Sequence, residues 1–254
     1  MNCLLYNGYY VPATNQIGFI EGDLNEITQV LAQRPPENVV EKLYGSLNIG
    51  LDKFFPVEGP YLQTLLTETK SKWVALFSEH GDVGTKTIGI AKDIQRKCIL
   101  ITYIESTYKK NSNDGCFGVS TFAIRTYGAK ELAIRYVSTY QDFDGWFFEQ
   151  GDNVAPFPFE KPEYYEKRKK KDRLPPELLA EYCEYYGIHP FDVSFYGHNM
   201  RYVVPNEFMS HVENFDKNSF EIQKNMYNRP ILSYDAYHKK HGLQYGRLNT
   251  IPPK

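Results

Sequence analysis

Phe117–Gln150 reads FGVSTFAIRTYGAKELAIRYVSTYQDFDGWFFEQ, and this stretch decides the fold. It holds three runs rich in β-branched and aromatic residues, Phe117 to Tyr127, Glu131 to Tyr140 and Gly145 to Gln150. Only Tyr127-Gly128-Ala129-Lys130 and Gln141-Asp142-Phe143-Asp144 separate them. Links this short join antiparallel neighbours, because a parallel crossover needs about a dozen residues or more. The stretch therefore predicts an antiparallel β-meander.

Working upstream, Cys98 to Ile104 is another β-rich run and Lys72-Trp73-Val74-Ala75-Leu76-Phe77 reads as a buried strand. Between them, Gly84 to Lys97 has helical spacing through Val83, Ile88, Ala91 and Ile94. This strand-helix-strand unit leaves room for one parallel or split pairing. Further back, Asp23 precedes Leu24, Ile27, Val30 and Leu31, the pattern of a capped amphipathic helix that Arg34-Pro35-Pro36 ends. A weaker strand is expected over Val39 to Tyr44 and a short helix over Leu47 to Phe54, followed by the apolar run Tyr61 to Leu66.

Downstream the character turns helical. Pro162 suits a first turn, a charged helix is expected over Tyr164 to Lys171, and Pro175-Pro176 opens another with Leu178, Leu179, Tyr182 and Tyr186 on one side. Gly187 stands where a left-handed cap closes it. Phe191 to Tyr196 reads as a last strand or extended segment, and the chain from Gly197 to Lys254 as a polar tail or partner-contacting arm. The expected class is α+β: a central antiparallel sheet with helices packed on it in residues 71–197, an α/β appendage in 1–70 and a tail in 198–254.

A chain of 254 residues buries a sizeable core without disulfides. Cys3, Cys98, Cys116 and Cys183 form no Cys-x-x-Cys pair, which fits a reducing compartment. The first twenty residues lack Lys, Arg and any unbroken apolar run, so neither a signal peptide nor a membrane span is expected, and the location expected is cytoplasmic. The net charge of -2 argues against a surface built throughout for nucleic acid. Lys161 to Arg173 nevertheless carries an excess of +4, leaving -6 for the rest. With 21 tyrosines, many hydroxyls must lie at surfaces or clefts, where they suit protein contacts.

Several residue groups could carry chemistry. Gly81 to Thr87 follows a strand and opens a helix, so the N–H groups of Gly84, Thr85, Lys86 and Thr87 could cradle a phosphate, with Lys86 as counter-charge. Its spacing departs from a P-loop, which has four residues between its glycines and a glycine just before the lysine. Lys167, Arg168, Lys169, Lys170, Lys171 and Arg173 could meet phosphates or an acidic partner, although Glu163, Glu166 and Asp172 are interleaved and a solvated helix face gives the same pattern. Asp235, His238 and His241 recur at helical spacing, but Lys239-Lys240 would repel a cation and no fourth ligand is fixed, so no metal is expected. Cys116 and His80 lack the flanking signature of a nucleophile and base, and no catalytic residue is assigned. No cofactor is expected either.

Phe143, Asp144, Trp146, Phe148, Glu149 and Asp152 form the remaining group. Alternation puts Trp146 and Phe148 on one face and Phe147 and Glu149 on the other. Two readings stand equal: one face packs inward and the other is an apolar patch rimmed by carboxylates, the anatomy of a protein-binding site, or helices cover the strand on both sides.

Residues 70–197 also resemble a group of uncharacterised bacterial proteins associated with toxin-immunity neighbourhoods. The landmarks are Trp73-Val74-Ala75-Leu76-Phe77, Gly84-Thr85, Tyr127-Gly128, Asp144-Gly145-Trp146-Phe147-Phe148, Pro158-Phe159-Glu160, Asp172-Arg173-Leu174, Leu178-Leu179, Gly187-Ile188 and Phe191-Asp192 through Phe195-Tyr196-Gly197. The resemblance implies a fold without a catalytic motif and a role in occluding a protein partner such as a bacterial toxin. The polar helix after Gly84 departs from the group, and the tail lies outside it. A phosphorylated ligand or nucleotide at Gly81–Thr87 is the alternative expectation; nucleic acid at 167–173 is the second.

Overall fold

The computed structural model describes residues 4–8, 10, 13–35, 38–54, 63–78, 83–111, 115–128, 132–151 and 153–206. Its strands are β1 Gln16–Glu21, β2 Asn38–Tyr44, β3 Thr64–Thr69, β4 Trp73–Ser78, β5 Cys98–Ile104, β6 Val119–Thr126, β7 Ala133–Asp142, β8 Gly145–Gly151 and β9 Tyr196–Pro205. They form one sheet in the order β2-β9-β3-β4-β1-β5-β6-β7-β8. Every neighbouring pair is antiparallel. The α+β class and the meander over β5–β8 agree with the sequence reading.

The termini of the described chain depart from it. Residues 1–70, read as an appendage, supply β1, β2 and β3, and β1 lies between β4 and β5. Of the two pairings expected for the β4-helix-β5 unit, the split one forms and the parallel one does not: β1 occupies the gap, pairing Phe19 with Ala75 on one side and Ile99 on the other. The segment from Gly197 does not leave the body at once. It continues β9 to Pro205, inserted between β2 and β3. Residues 207–254, including the Asp235, His238 and His241 group, lie outside the described residues.

Helices α1 (Leu24–Ala32), α2 (Leu47–Leu51), α3 (Val83–Asp93), α4 (Pro162–Tyr165) and α5 (Pro176–Glu184) flank the sheet. Asp23 caps α1 as its position predicts, accepting hydrogen bonds from the N–H groups of Asn25 and Glu26. Gly187 adopts φ +69° just past α5, where a side chain would be strained. The charged helix expected over 164–171 stops at Tyr165. Consecutive like charges disfavour further turns, and the chain is anchored at both ends by buried Tyr165 and Leu174.

Two cores result, one on each sheet face. Alternation places Phe19, Phe77, Ile99, Ile101, Phe122 and Val137 against the layer built from α2, α5 and the segments around them. Ile20, Leu66, Val74, Leu76 and Cys98 instead face α1 and α3. Glycine at position 18 lets α3 approach β1, since a Cβ there would collide with the Thr87 side chain. Helix α1 packs over β2, β3 and β9, and α3 over β1, β4 and β5.

That coverage stops short of the meander's far end. Along β6 and β7, Ser120, Phe122, Ile124, Arg135, Val137 and Thr139 are buried toward the α5 layer. Their alternates on the other side, Thr121, Ala123, Tyr136, Ser138 and Tyr140, stay partly exposed. Among the described residues neither α1 nor α3 covers this open face of β6–β8. Among the described residues no helix is long and apolar enough to cross a membrane.

Candidate functional site

The open face is organised by the β7–β8 hairpin. Asp142 Oδ1 accepts hydrogen bonds from the N–H groups of Asp144 (2.7 Å) and Gly145 (3.2 Å), and Gly145 takes φ +128° to complete the turn. The resulting register sets Tyr140 opposite Phe147. Their rings stack with centroids 5.4 Å apart and planes 17° from parallel. Tyr140 donates its hydroxyl proton to Glu149 Oε1 at 2.7 Å, and this bond raises the phenol pKa. At the hairpin tip Phe143 is 61% exposed and meets the edges of Phe117 and Tyr108. The surface thus joins two groups of rings, with Tyr136 beside them and Asp142, Asp144 and Glu149 as carboxylates.

The six residues expected to bind a partner divide. Phe143, Asp144 and Glu149 are exposed on the hairpin and its outer strand. Trp146 and Phe148 turn to the covered side: Trp146 fills the space left by the missing side chain of Gly118, and Phe148 lies 5.2 Å from both the Tyr165 ring and the Arg173 guanidinium. Asp152 lies outside the described residues. Phe147, Tyr140 and Tyr136 lie on the opposite face from those two rings. Alternation alone separates Phe147 from Trp146 but does not reveal which side the 157–188 segment covers.

That segment is locked down by a buried polar network. Arg135 donates to both Glu160 carboxylate oxygens at 2.8 and 2.6 Å and to Gln150 Oε1 at 2.9 Å. Glu160 also accepts from the Phe157 N–H and the Tyr165 hydroxyl, which in turn meets Tyr182. Tyr182 accepts from the Lys161 N–H. Burial pushes the Glu160 carboxyl up, but the bonds from Arg135, Phe157 and Tyr165 outweigh it and leave the pKa below the usual value.

The basic run borders β8. Lys170 Nζ stands 5.0 Å from the Phe147 ring centre and Lys167 Nζ 3.3 Å from that of Tyr164. Lys170 therefore lies beside the edge strand, the kind of charge that discourages further strand pairing. Arg168, Lys169 and Lys171 are exposed.

The groups proposed for phosphate are largely engaged inside the protein. Gly84 N–H donates to Gln16 Oε1 at 3.3 Å, and Thr87 is buried against Gly18. Lys86 Nζ donates to Ser78 Oγ at 2.9 Å and to the Gln63 carbonyl at 3.3 Å. Thr85 alone of the four is exposed. Ser78 Oγ lies 2.9 Å from the Gln63 carbonyl, which accepts its proton while the hydroxyl oxygen accepts from Lys86. Gly81, Asp82 and His80 lie outside the described residues.

Other candidates resolve into structure. Cys98 and Cys183 are buried free thiols, and burial pushes Cys98 up to about 12, far from a reactive thiolate. Cys116 uses its backbone N–H to bond Thr107 Oγ1. A shallow cleft beside Asp23 is lined by charges that pair with each other, Lys72 with Glu21 at 2.7 Å and Arg96 with Glu26 at 3.9 Å. Among the described residues no three His, Cys, Asp or Glu side chains cluster as metal ligands do. The fold and this surface define an α+β protein with one half-covered sheet face. No family model matches the chain, and no match was found among curated proteins or solved structures.

Proposed function

We propose that this protein acts by binding another protein on the open face of β6–β8, in the manner of an immunity protein that occludes its partner, with a bacterial toxin as the partner class. The observation that carries the reading is the Tyr140–Phe147 stack on a sheet face that α1 and α3 leave uncovered. Aromatic rings on a rigid strand lose little conformational freedom when a partner covers them. Carboxylates at Asp142, Asp144 and Glu149 ring the patch and favour a partner with basic groups at its margin. The covered side, held by the Arg135–Glu160 network, keeps this platform rigid.

The test is affinity purification of the full chain from cells that encode its natural partner, alongside Tyr140→Ala and Phe147→Ala variants. A stoichiometric protein should be retained by the wild type. Each variant should weaken that complex by about 2 kcal/mol, roughly thirtyfold, if the rings are central to the contact. A partner that both variants retain at unchanged affinity discards this face.

A further inference from the structure

The run Arg168-Lys169-Lys170-Lys171 holds four consecutive cations on the surface, and none forms an ion pair with a described residue. The interleaved acids Glu163, Glu166 and Asp172 form no ion pair with these four, and the 161–173 segment keeps its excess of +4. The backbone that carries them is fixed: Asp172 N–H donates to the Lys169 carbonyl at 2.9 Å, Arg173 N–H to the Lys170 carbonyl at 3.1 Å and Arg173 Nε to the Lys167 carbonyl at 2.8 Å. Tyr165 on one side and Leu174 on the other are 3% and 0% exposed. A turn held at both ends keeps like charges together at a cost in mutual repulsion, which a bound anion would relieve without further ordering of the backbone.

We propose that this turn is a docking site for an acidic segment of a protein. Two observations favour carboxylates over a nucleic acid. The rings nearest the run each carry one of the protein's own cations, Tyr164 that of Lys167, Phe147 that of Lys170 and Phe148 that of Arg173, and a stacking base would have to compete with it. The rest of the chain carries a net charge of -6, which repels a long polyphosphate but not a short acidic stretch that reaches only the turn. The site adjoins the open face through Lys170 but does not depend on it.

The experiment measures fluorescence anisotropy of a labelled oligoglutamate peptide with the full-length chain at low and physiological salt. The site variant is Lys169→Glu with Lys171→Glu. The control is Lys42→Glu with Lys92→Glu, two exposed lysines elsewhere that change net charge equally. The wild type should bind with affinity that falls as salt rises, the site variant should lose about tenfold or more, and the control should stay close to wild type. The milder Lys169→Ala with Lys171→Ala should lose affinity in the same direction, which guards against a folding defect in the reversed variant. Absence of binding by the wild type, equal loss in site variant and control, or tighter binding of an oligothymidylate of equal length would each overturn the proposal.

Discussion

Glu160→Ala is expected to destabilise the fold by about 3–5 kcal/mol, because it leaves Arg135 charged and buried without its partner. Side-chain exposure is 4% for Arg135 and 2% for Glu160, so water cannot replace the lost carboxylate without opening the 157–182 segment. Urea denaturation of the two proteins at neutral pH measures the difference. Arg135→Met combined with Glu160→Leu should recover much of the loss, since a buried ion pair is often replaceable by apolar groups of similar volume. The same network sets a pH dependence. A carboxyl held below its unfolded pKa contributes stability that is fully present above about pH 4–5 and is lost as pH falls through the folded value. Tyr165 and Tyr182 act with the opposite sign: burial, the first cause in each, raises their phenols, so their contribution is present below about pH 10 and is lost as pH rises past it. Glu160→Gln should flatten the acid limb and weaken the alkaline one less, because burial remains the first cause that raises both phenols while the Glu160 charge is a lesser one.

Phe122→Ala should cost a similar amount, about 3–5 kcal/mol. Phe122 sits at the junction of sheet and helical layer, with ring centres 5.9 Å from Tyr182, 6.2 Å from Tyr186 and 6.3 Å from Phe159. Truncation leaves a cavity whose walls belong to β6, α5 and the segment before α4. Those walls are tied by other bonds, such as Trp73 Nε1 to the Tyr186 carbonyl at 2.9 Å, so they cannot collapse freely. Thermal denaturation compared with Phe143→Ala makes the contrast, because Phe143 is mostly exposed and its loss should change stability little.

The meander was readable because its loops leave few choices: Gln141 to Asp144 is too short for anything but a hairpin between β7 and β8. The capped helix after Asp23 was readable for a similar local reason. Strands β1 and β9 were not. Gln16–Glu21 is short and carries Gly18 in its middle, so it looks weak until β4 and β5 supply partners far along the chain. Tyr196–Pro205 carries Gly197, His198 and Asn199 near its start, which read as tail, and becomes a strand because it pairs with β2 on one side and with the free edge of β3 on the other. The basic run was visible as charge, yet its shape was not, since the ending of α4 at Tyr165 depends on burial of that ring against Phe148 and Glu160.

The candidate surface followed the same rule. Period-two alternation separates Trp146 and Phe148 from Phe147 and Glu149, and the structure keeps that separation. Which pair meets solvent is settled by Arg135 and Glu160, a contact between residues 25 apart in sequence that no local pattern announces. Tyr140 was hidden for the same reason, because its pairing with Phe147 needs the register of the finished hairpin.

Backbone hydrogen exchange of the protein, alone and with its purified partner, tests the central claim most directly. The account predicts that the partner slows exchange along β8 and the outer hairpin, residues 140–151, while α1 and α3 exchange as they do in the free protein. Protection confined to α1 and α3, with β8 unchanged, would contradict it.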